Sequence, residues 1–374
     1  MKKILITGSR GFIGLNLVNI LKNLKDYTII EYNSNNSIDE LKLFLKESDI
    51  IFHLAAINRN DDNSEFYKVN VELTQFICSY LIKINRNPMI IFSSSTQAGN
   101  NSIYGKSKLE AEEIIKEYRT KTNSEVSIYR LPGVFGKWSK PNYNTVIATF
   151  CYNISRDLPI QINNENSIVD LVYIDDVINQ FINDLNFLNS KNDKVYKQVV
   201  PEYSVSLGEL SKKIQSFKES RKSLRLGDYK DTFSKKLQAT YLSFIPRDKF
   251  AYQLPKNKDD RGVLAEFLKS ESLGQIFVSS TKPGYIRGNH YHNTKVEKFL
   301  VLSGRGVIKF KNIIKNDGII SYEVEGKDYK VLDIPPGYTH SIENTGDEEM
   351  IVLFWSSEIY NPELPDTEFY PLES

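Results

Sequence analysis

Tyr104 and Lys108, in the stretch SSSTQAGNNSIYGKSK, lie four residues apart and so share one face of a helix, one turn from each other. An ammonium beside a phenol is expected to lower the phenol's pKa, which makes Tyr104 a proton donor to a carbonyl undergoing reduction. Ser95, or its neighbours Ser94 and Thr96, can hydrogen-bond the same carbonyl. YxxxK also occurs by chance on surface helices, but placed after a strand ending in SSS it predicts a catalytic set of Ser95, Tyr104 and Lys108. A second cluster lies far along the chain. Of only 4 histidines, His290 and His292 stand in GYIRGNHYHNTKVEKFLVLSG and His340 in IPPGYTHSIEN. Within a strand, HxH points both rings to one side. With Glu297 these residues make three imidazoles and one carboxylate, a competent site for a borderline divalent metal, zinc first and manganese, iron or nickel behind it.

Two kinds of sequence texture must position these groups. Up to about residue 240, short apolar runs alternate with amphipathic helical patterns. KKILITG, YTIIEY, DIIFHLAA, PMIIFSSS and VSIYRLPG read as buried strands. FIGLNLVNILKNL, SIDELKLFLKES and SKLEAEEIIKEYRTK read as helices. This alternation predicts an α/β fold with a doubly wound, Rossmann-type parallel sheet. A polar, proline-punctuated connector, IPRDKFAYQLPKNKDDRG, follows. Beyond it come QIFVSST, KFLVLSG, GVIKFKN, SYEVEG, KVLDIPPG and MIVLFWSS, short strands split by Gly and Pro, which predict an all-β sandwich or barrel. The expected domains are 1–244 and 245–374.

TGSRGFIG follows the first strand and opens the first helix. Gly8 permits the tight turn, Gly11 lets the backbone approach a pyrophosphate, and Gly14 lets the helix pack on the strand. The helix start presents free N–H groups of Phe12 and Ile13 and a positive dipole end to phosphates. About 20 residues on, Glu31, Tyr32 and Asn33 are the candidates for reading the adenosine ribose. Arg10, unless simply solvated, suits a 2′-phosphate, so NADPH is preferred over NADH. GKWSKPNYNTVIATF at 136–150 offers Lys137, Trp138, Lys140, Asn142 and Tyr143 to a diphosphate, a base and sugar hydroxyls.

Bulk composition narrows the function classes. With 25% charged residues and a formal net charge of +1, there is no electrostatic footprint for nucleic acid or an anionic membrane. The best apolar run, IIFHLAAI from Ile50, is far shorter than the roughly 18–20 residues of a membrane span. The apolar start after Lys2 and Lys3 breaks into glycines too early for a signal peptide. The 2 cysteines, Cys78 and Cys151, have neither disulfide-framework nor metal-ligand spacing. A cytoplasmic enzyme is expected.

Residues 1 to about 244 resemble the extended short-chain dehydrogenase/reductases that act on nucleotide sugars. The resemblance rests on TGxxGxxG, on FHLAA at His53 to Ala56, on the Ser–Tyr–Lys set, on RLPGVFG from Arg130 and on DLVYIDDV around Asp175 and Asp176. It implies cofactor contacts at Gly8, Arg10, Gly11, Phe12, Ile13, Gly14, Ala55 and Lys108, and a packing role for His53. Two departures stand out: the gap from Ser95 to Tyr104 is short, and Gly133 replaces the Asn of the RxxN motif. The Asp–Glu pair of the family's dehydratases is also absent after Ser95, so ketone reduction is the expected chemistry.

The second cluster resembles the cupin motifs, from Gly284 through His290, His292, Glu297 and Gly304, then Pro335 to Asn344 around His340. This implies a small β-barrel with the four ligands converging inside. RGNH at Arg287 to His290 and DDRGVLAEF at Asp259 to Phe267 also resemble the metal-free cupin sugar 3,5-epimerases, where that histidine is a general base. We assign His290 to the metal, because the spacing fits the metal motif throughout.

The two chemistries join logically. A C3 proton is acidic only while C4 is a ketone, so C3 epimerisation must precede C4 reduction. Nearly the whole chain resembles the CapF-type family of bifunctional epimerase–reductases of capsular polysaccharide synthesis. That resemblance implies conversion of UDP-2-acetamido-2,6-dideoxy-hexos-4-ulose to UDP-2-acetamido-2,6-dideoxy-L-talose, on the route to UDP-N-acetyl-L-fucosamine, by a homodimer. The alternative is an NAD-dependent 4-epimerase in which the cupin only mediates dimerisation.

Overall fold

The computed structural model describes residues 1–24, 26–143, 145–186, 194–315 and 318–372. They form two compact units, one of Met1–Gln215 with Tyr229–Pro246 and the other of Ser216–Asp228 with Arg247–Ser374.

In the first unit, β1 (Lys2–Thr7), β2 (Tyr27–Tyr32), β3 (Ile50–His53), β4 (Met89–Ser95) and β5 (Val126–Leu131) are followed by β6 (Gly133–Phe135), β7 (Ile168–Tyr173), β8 (Tyr196–Lys197) and β9 (Tyr203–Ser206). The main sheet runs β2-β1-β3-β4-β5-β8, with every pair parallel. Helices α1 (Phe12–Leu21), α2 (Ile38–Glu47), α3 (Asn63–Phe66), α4 (Leu73–Lys83) and α5 (Ile103–Thr122) provide crossovers. The two-residue period of β1 shows why both faces need cover. Ile4 and Ile6 enter one core with Leu17, Leu21 and Phe181, whereas Leu5 enters the other with Leu41, Leu45, Ile115 and Tyr118. Each such side chain contributes about 1.5–3 kcal/mol of burial. Strand order reverses between β1 and β3, so the turns that follow them diverge and leave a crevice at the carboxyl ends of the strands, where such sheets bind ligands. The five strands and three helices expected from sequence are all present.

The named strands of the second unit all pair antiparallel. Its strands are β10 (Asn257–Asp259), β11 (Gly262–Ser270), β12 (Gly274–Thr281), β13 (Ile286–Tyr291), β14 (Glu297–Ser303), β15 (Arg305–Asn312), β16 (Ile319–Glu325), β17 (Val331–Ile334), β18 (Tyr338–Asn344), β19 (Met350–Ser356) and β20 (Glu368–Phe369). They form two sheets, β10-β11-β12-β19-β14-β17 and β16-β15-β18-β13-β20. Phe299, Val301, Val352 and Phe354 of one sheet meet Ile308, Phe310 and Ile342 of the other in a single core. This is the small all-β domain of cupin type expected from the sequence. Residues 216–228, grouped with the first domain in the sequence reading, pack here: Leu226 donates to the Lys269 carbonyl and Lys269 to that of Leu224, each at 2.8 Å. Among the described residues no helix is long and apolar enough to cross a membrane.

Candidate functional site

The turn after β1 is as tight as its glycines suggest. Gly8 adopts φ +71°, and a Cβ on Gly14 would lie 2.2 Å from the Gly8 carbonyl oxygen. Leu15 donates to the Gly11 carbonyl at 2.8 Å, and the α1 N-terminus has no side-chain cap, which leaves its first N–H groups for a ligand. Across the crevice, the turn after β3 is braced from below. The Ala55 N–H donates to Thr7 Oγ1 (3.2 Å), whose hydroxyl donates to His53 Nδ1 (2.7 Å). His53 Nε2 in turn donates to Thr74 Oγ1 (2.8 Å), and Thr74 donates to the Asn70 carbonyl (2.7 Å). Burial first, and the Lys108 charge second, lower the His53 pKa to about 3, so the ring is neutral and its expected packing role fits.

The structure separates Ser94 from Ser95, the two candidate serines at the end of β4. Ser94 donates to the fully buried Glu112, which also accepts from Arg130 Nε (2.9 Å) and Nη2 (2.6 Å) and from the Tyr196 hydroxyl (2.9 Å). Strand alternation then turns Ser95 the other way, where its hydroxyl accepts from the Gln97 N–H at 3.2 Å and acts on the Tyr104 phenol. Lys108 lies on the same helix face as Tyr104, but its ammonium donates to the Ser93 carbonyl at 2.8 Å. The expectation of a lowered Tyr104 pKa is therefore corrected. Burial raises it, the Ser95 hydrogen bond only partly offsets this, and the phenol is held protonated, the form a proton donor needs. Lys108 itself is lowered to about 8, by burial first and against the opposing pull of Glu112.

A cavity of about 610 Å³ joins these parts. Gly8, Gly11, Phe12, Ile13 and Gly14 line one end, Ser95, Tyr104 and Lys108 the wall, and Lys140, Tyr143 and Thr145 the far rim. Other expected contacts lie outside the lining. Arg10 is exposed beside the turn, and the Ala55 N–H is taken by Thr7 Oγ1. Lys137 pairs with Asp175 at 2.6 Å, and Trp138 is half exposed at φ +69°. The Asn142 carbonyl accepts from Arg59 Nη1 at 3.0 Å, which ties the two rims. Glu31, a candidate ribose reader, pairs with Lys22 at 2.8 Å. Arg59, Asn70 and Glu112 carry roles that no motif announced. Only Glu112 left a sequence signal, standing one turn beyond Lys108 on the same helix face.

In the second unit, register assembles the histidine cluster. His290 on β13 is paired with His340 on β18, across a bulge between Gly288 and His290. Gly288 permits that approach, since a Cβ there would lie 2.7 Å from the His340 carbonyl oxygen. Glu297 opens β14, and His292 lies just past the end of β13. The ligand atoms of His290, His292, Glu297 and His340 all fall within 4.8 Å of one another, and the last three residues are buried. His292 Nδ1 lies 2.6 Å from the Asp366 carbonyl and must carry the proton, so in the neutral ring Nε2 is a lone-pair acceptor. That acceptor faces a Glu297 oxygen at 3.2 Å, with His340 Nε2 at 3.7 Å from the same oxygen. Buried acceptors turned towards one another require a cation or a proton between them. The donor set fits a divalent metal of the borderline class. Burial, reinforced by the neighbouring rings, lowers His290 to about 4, which keeps it neutral as a ligand must be.

Residues 4–196 match the NAD dependent epimerase/dehydratase family, and residues 257–368 match the polysaccharide biosynthesis C-terminal domain. The chain is 40% identical over 367 residues to the UDP-2-acetamido-2,6-beta-L-arabino-hexul-4-ose reductase of Pseudomonas aeruginosa, covering 98% of this chain and 97% of that one. The crystal structure of the capsular polysaccharide assembling protein CapF from Staphylococcus aureus aligns with a TM-score of 0.91 at 42% identity, covering 98% of this chain and 99% of that one. A shorter match, 27% identical over 131 residues, covers 32% of this chain and 84% of the probable low-salt glycan biosynthesis epimerase Agl13 of Haloferax volcanii. On a family match that spans half of its length and relatives that align end to end, the chain belongs to the NAD dependent epimerase/dehydratase family, in the branch that CapF represents.

Proposed function

We propose that this protein epimerises C3 and then reduces the C4 ketone of UDP-2-acetamido-2,6-dideoxy-hexos-4-ulose, giving UDP-2-acetamido-2,6-dideoxy-L-talose. The observation that carries the reductase half is the convergence of the glycine turn with Ser95, Tyr104 and Lys108 on one cavity. Ser95 orients the ketone oxygen, and the protonated Tyr104 donates to it as charge develops. The Lys108 ammonium adds positive charge behind them. A reduced nicotinamide bound across the turn supplies the hydride, and exposed Arg10 favours the 2′-phosphate of NADPH. Arg59, Lys140 and Tyr143 line the same cavity and would take the UDP portion. Support for the substrate class comes from the relative named as a UDP-sugar 4-ulose reductase, at 40% identity.

The epimerase half rests on the cluster of His290, His292, Glu297 and His340 and on the need for a C4 ketone while the C3 proton is exchanged. A divalent metal held there would polarise a ketone and stabilise an enolate oxygen. The test supplies the 4-keto sugar nucleotide in deuterated water. Deuterium is expected at C3 without NADPH, and NADPH oxidation when it is added. Reduction without any C3 exchange would remove the epimerase half; exchange without NADPH oxidation would remove the reductase half.

A further inference from the structure

The segment after the last long strand returns to the metal cluster and touches it at each step. The Asp366 carbonyl accepts from His292 Nδ1 at 2.6 Å. Its carboxylate accepts from three successive backbone N–H groups, those of Asn293 (2.8 Å), Thr294 (2.7 Å) and Lys295 (2.8 Å). Asn293 Nδ2 (3.1 Å) and Thr294 Oγ1 (3.0 Å) add two side-chain donors. Thr367 Oγ1 accepts from the buried Lys295 Nζ at 2.9 Å, and β20 pairs Phe369 with His290.

We propose that Asp366 is the positioning residue of the histidine–glutamate centre, fixing His292 through its carbonyl and the 293–295 turn through its carboxylate. His292 lies beyond the end of β13, so the strand ladder does not hold its ring. The hydrogen bond to the Asp366 carbonyl selects the tautomer with the proton on Nδ1 and aims the bare Nε2 at Glu297. Carbonyl partners of this kind orient metal-bound histidines generally. The carboxylate sits in a nest of consecutive N–H groups. That nest sets the path of three of the four residues that separate His292 from Glu297, the residue that opens β14. One residue therefore places two of the four ligands. This inference rests on the metal reading of the cluster.

The test uses the full chain with Asp366→Ala, and Asp366→Asn in case the alanine variant does not fold. Competition for Zn²⁺ between protein and a chromogenic chelator should show affinity about 10–100-fold weaker in Asp366→Ala. The asparagine variant, which keeps one acceptor oxygen, should fall between alanine and wild type. In metal-free protein, ¹⁵N shifts of the His292 ring, assigned by comparison with His292→Gln, should show the Nδ1–H tautomer in wild type and a tautomer mixture in Asp366→Ala. The backbone carbonyl that selects the tautomer stays in the variant but loses the carboxylate bonds to the 293–295 turn that hold it against Nδ1. A variant that keeps wild-type zinc affinity and a single His292 tautomer overturns the proposal. If wild type itself takes up no zinc, the metal reading fails, and the tautomer comparison still decides whether Asp366 positions the ring.

Discussion

The Lys108 ammonium donates to the Ser93 carbonyl at 2.8 Å, from a side chain that is 2% exposed and one helical turn from Tyr104. Burial brings its pKa from 10.5 to about 8, and Glu112 only partly opposes this. A lysine with a depressed folded pKa loses its charge early as pH rises. Reduction is therefore expected to weaken as pH rises through about 8. Lys108→Arg should remove that limb, because a guanidinium stays charged, and lower kcat because the fork fits the lysine site poorly. The kcat profile for NADPH oxidation checks this; a wild-type profile flat across that limb would count against a role for the charge. For stability the unfolded chain binds the extra proton between about 8 and 10.5, so stability rises with pH over that window.

Ser94 and Ser95 are neighbours with different surroundings: Ser94 donates to Glu112, whereas Ser95 lines the cavity with Tyr104 and acts on its phenol. Tyr104→Phe should reduce kcat about 10²–10⁴-fold, the contribution of a placed proton donor. Ser95→Ala should reduce it about 10²–10³-fold, the loss of one oxyanion donor. Ser94→Ala should instead lower stability by about 1–3 kcal/mol with kcat nearly kept, since it strips a partner from a buried carboxylate. In all three, C3 deuterium exchange should continue. Denaturant titration and steady-state kinetics on the same preparations separate the outcomes, and a Ser94 variant as slow as the Ser95 variant would reverse the assignment.

His53 carries one ring proton, received by Thr74, while its other nitrogen accepts from Thr7. A second proton would face the Thr7 hydroxyl inside the core, and burial keeps the folded pKa at about 3 against 6.5. Between those values the unfolded state binds a proton that the fold does not. Stability is thus expected to fall as pH drops below 6.5, by at most about 1.4 kcal/mol per pH unit. His53→Gln should weaken the fold at neutral pH but flatten this acid dependence. Unfolding midpoints at several pH values, wild type against variant, measure the difference in slope.

The cluster of His290, His292, Glu297 and His340 should copurify with one divalent metal, found by elemental analysis. Chelation should lower the thermal midpoint, and zinc should restore it; metal at 100 times its dissociation constant stabilises by about 2.7 kcal/mol. His340→Gln should abolish the zinc response. A zinc-insensitive midpoint in metal-free wild type would rule out a metal centre here.

The first unit was legible because its signals are local. Apolar runs four to seven residues long and a glycine turn at a strand end report directly on a parallel sheet, and YxxxK spacing reports on a helix face. The second unit was legible as strands where apolar residues face the core, as in β14, β15 and β19. Strand β18, which carries His340, was legible only as a motif, because His340, Ser341 and Asn344 put polar groups at buried positions and erase the usual alternation. The substrate candidates around Lys137 and Trp138 looked alike in sequence; only Lys140 and Tyr143 line the cavity, since Lys137 is taken by Asp175 across the fold.

Short-range periodicity and residue chemistry set the class of each domain, the helical pairing of Tyr104 with Lys108 and the membership of the histidine–glutamate cluster. Tertiary structure decided which serine meets Tyr104, the sign of the Tyr104 shift and the hold on His292. Each of these depends on a partner distant in the chain: Glu112 for Ser94, the surrounding core for the phenol, and Asp366, 74 residues on, for the imidazole. Burial and long-range hydrogen bonds exist only once the chain has closed on itself, and no spacing along it records them.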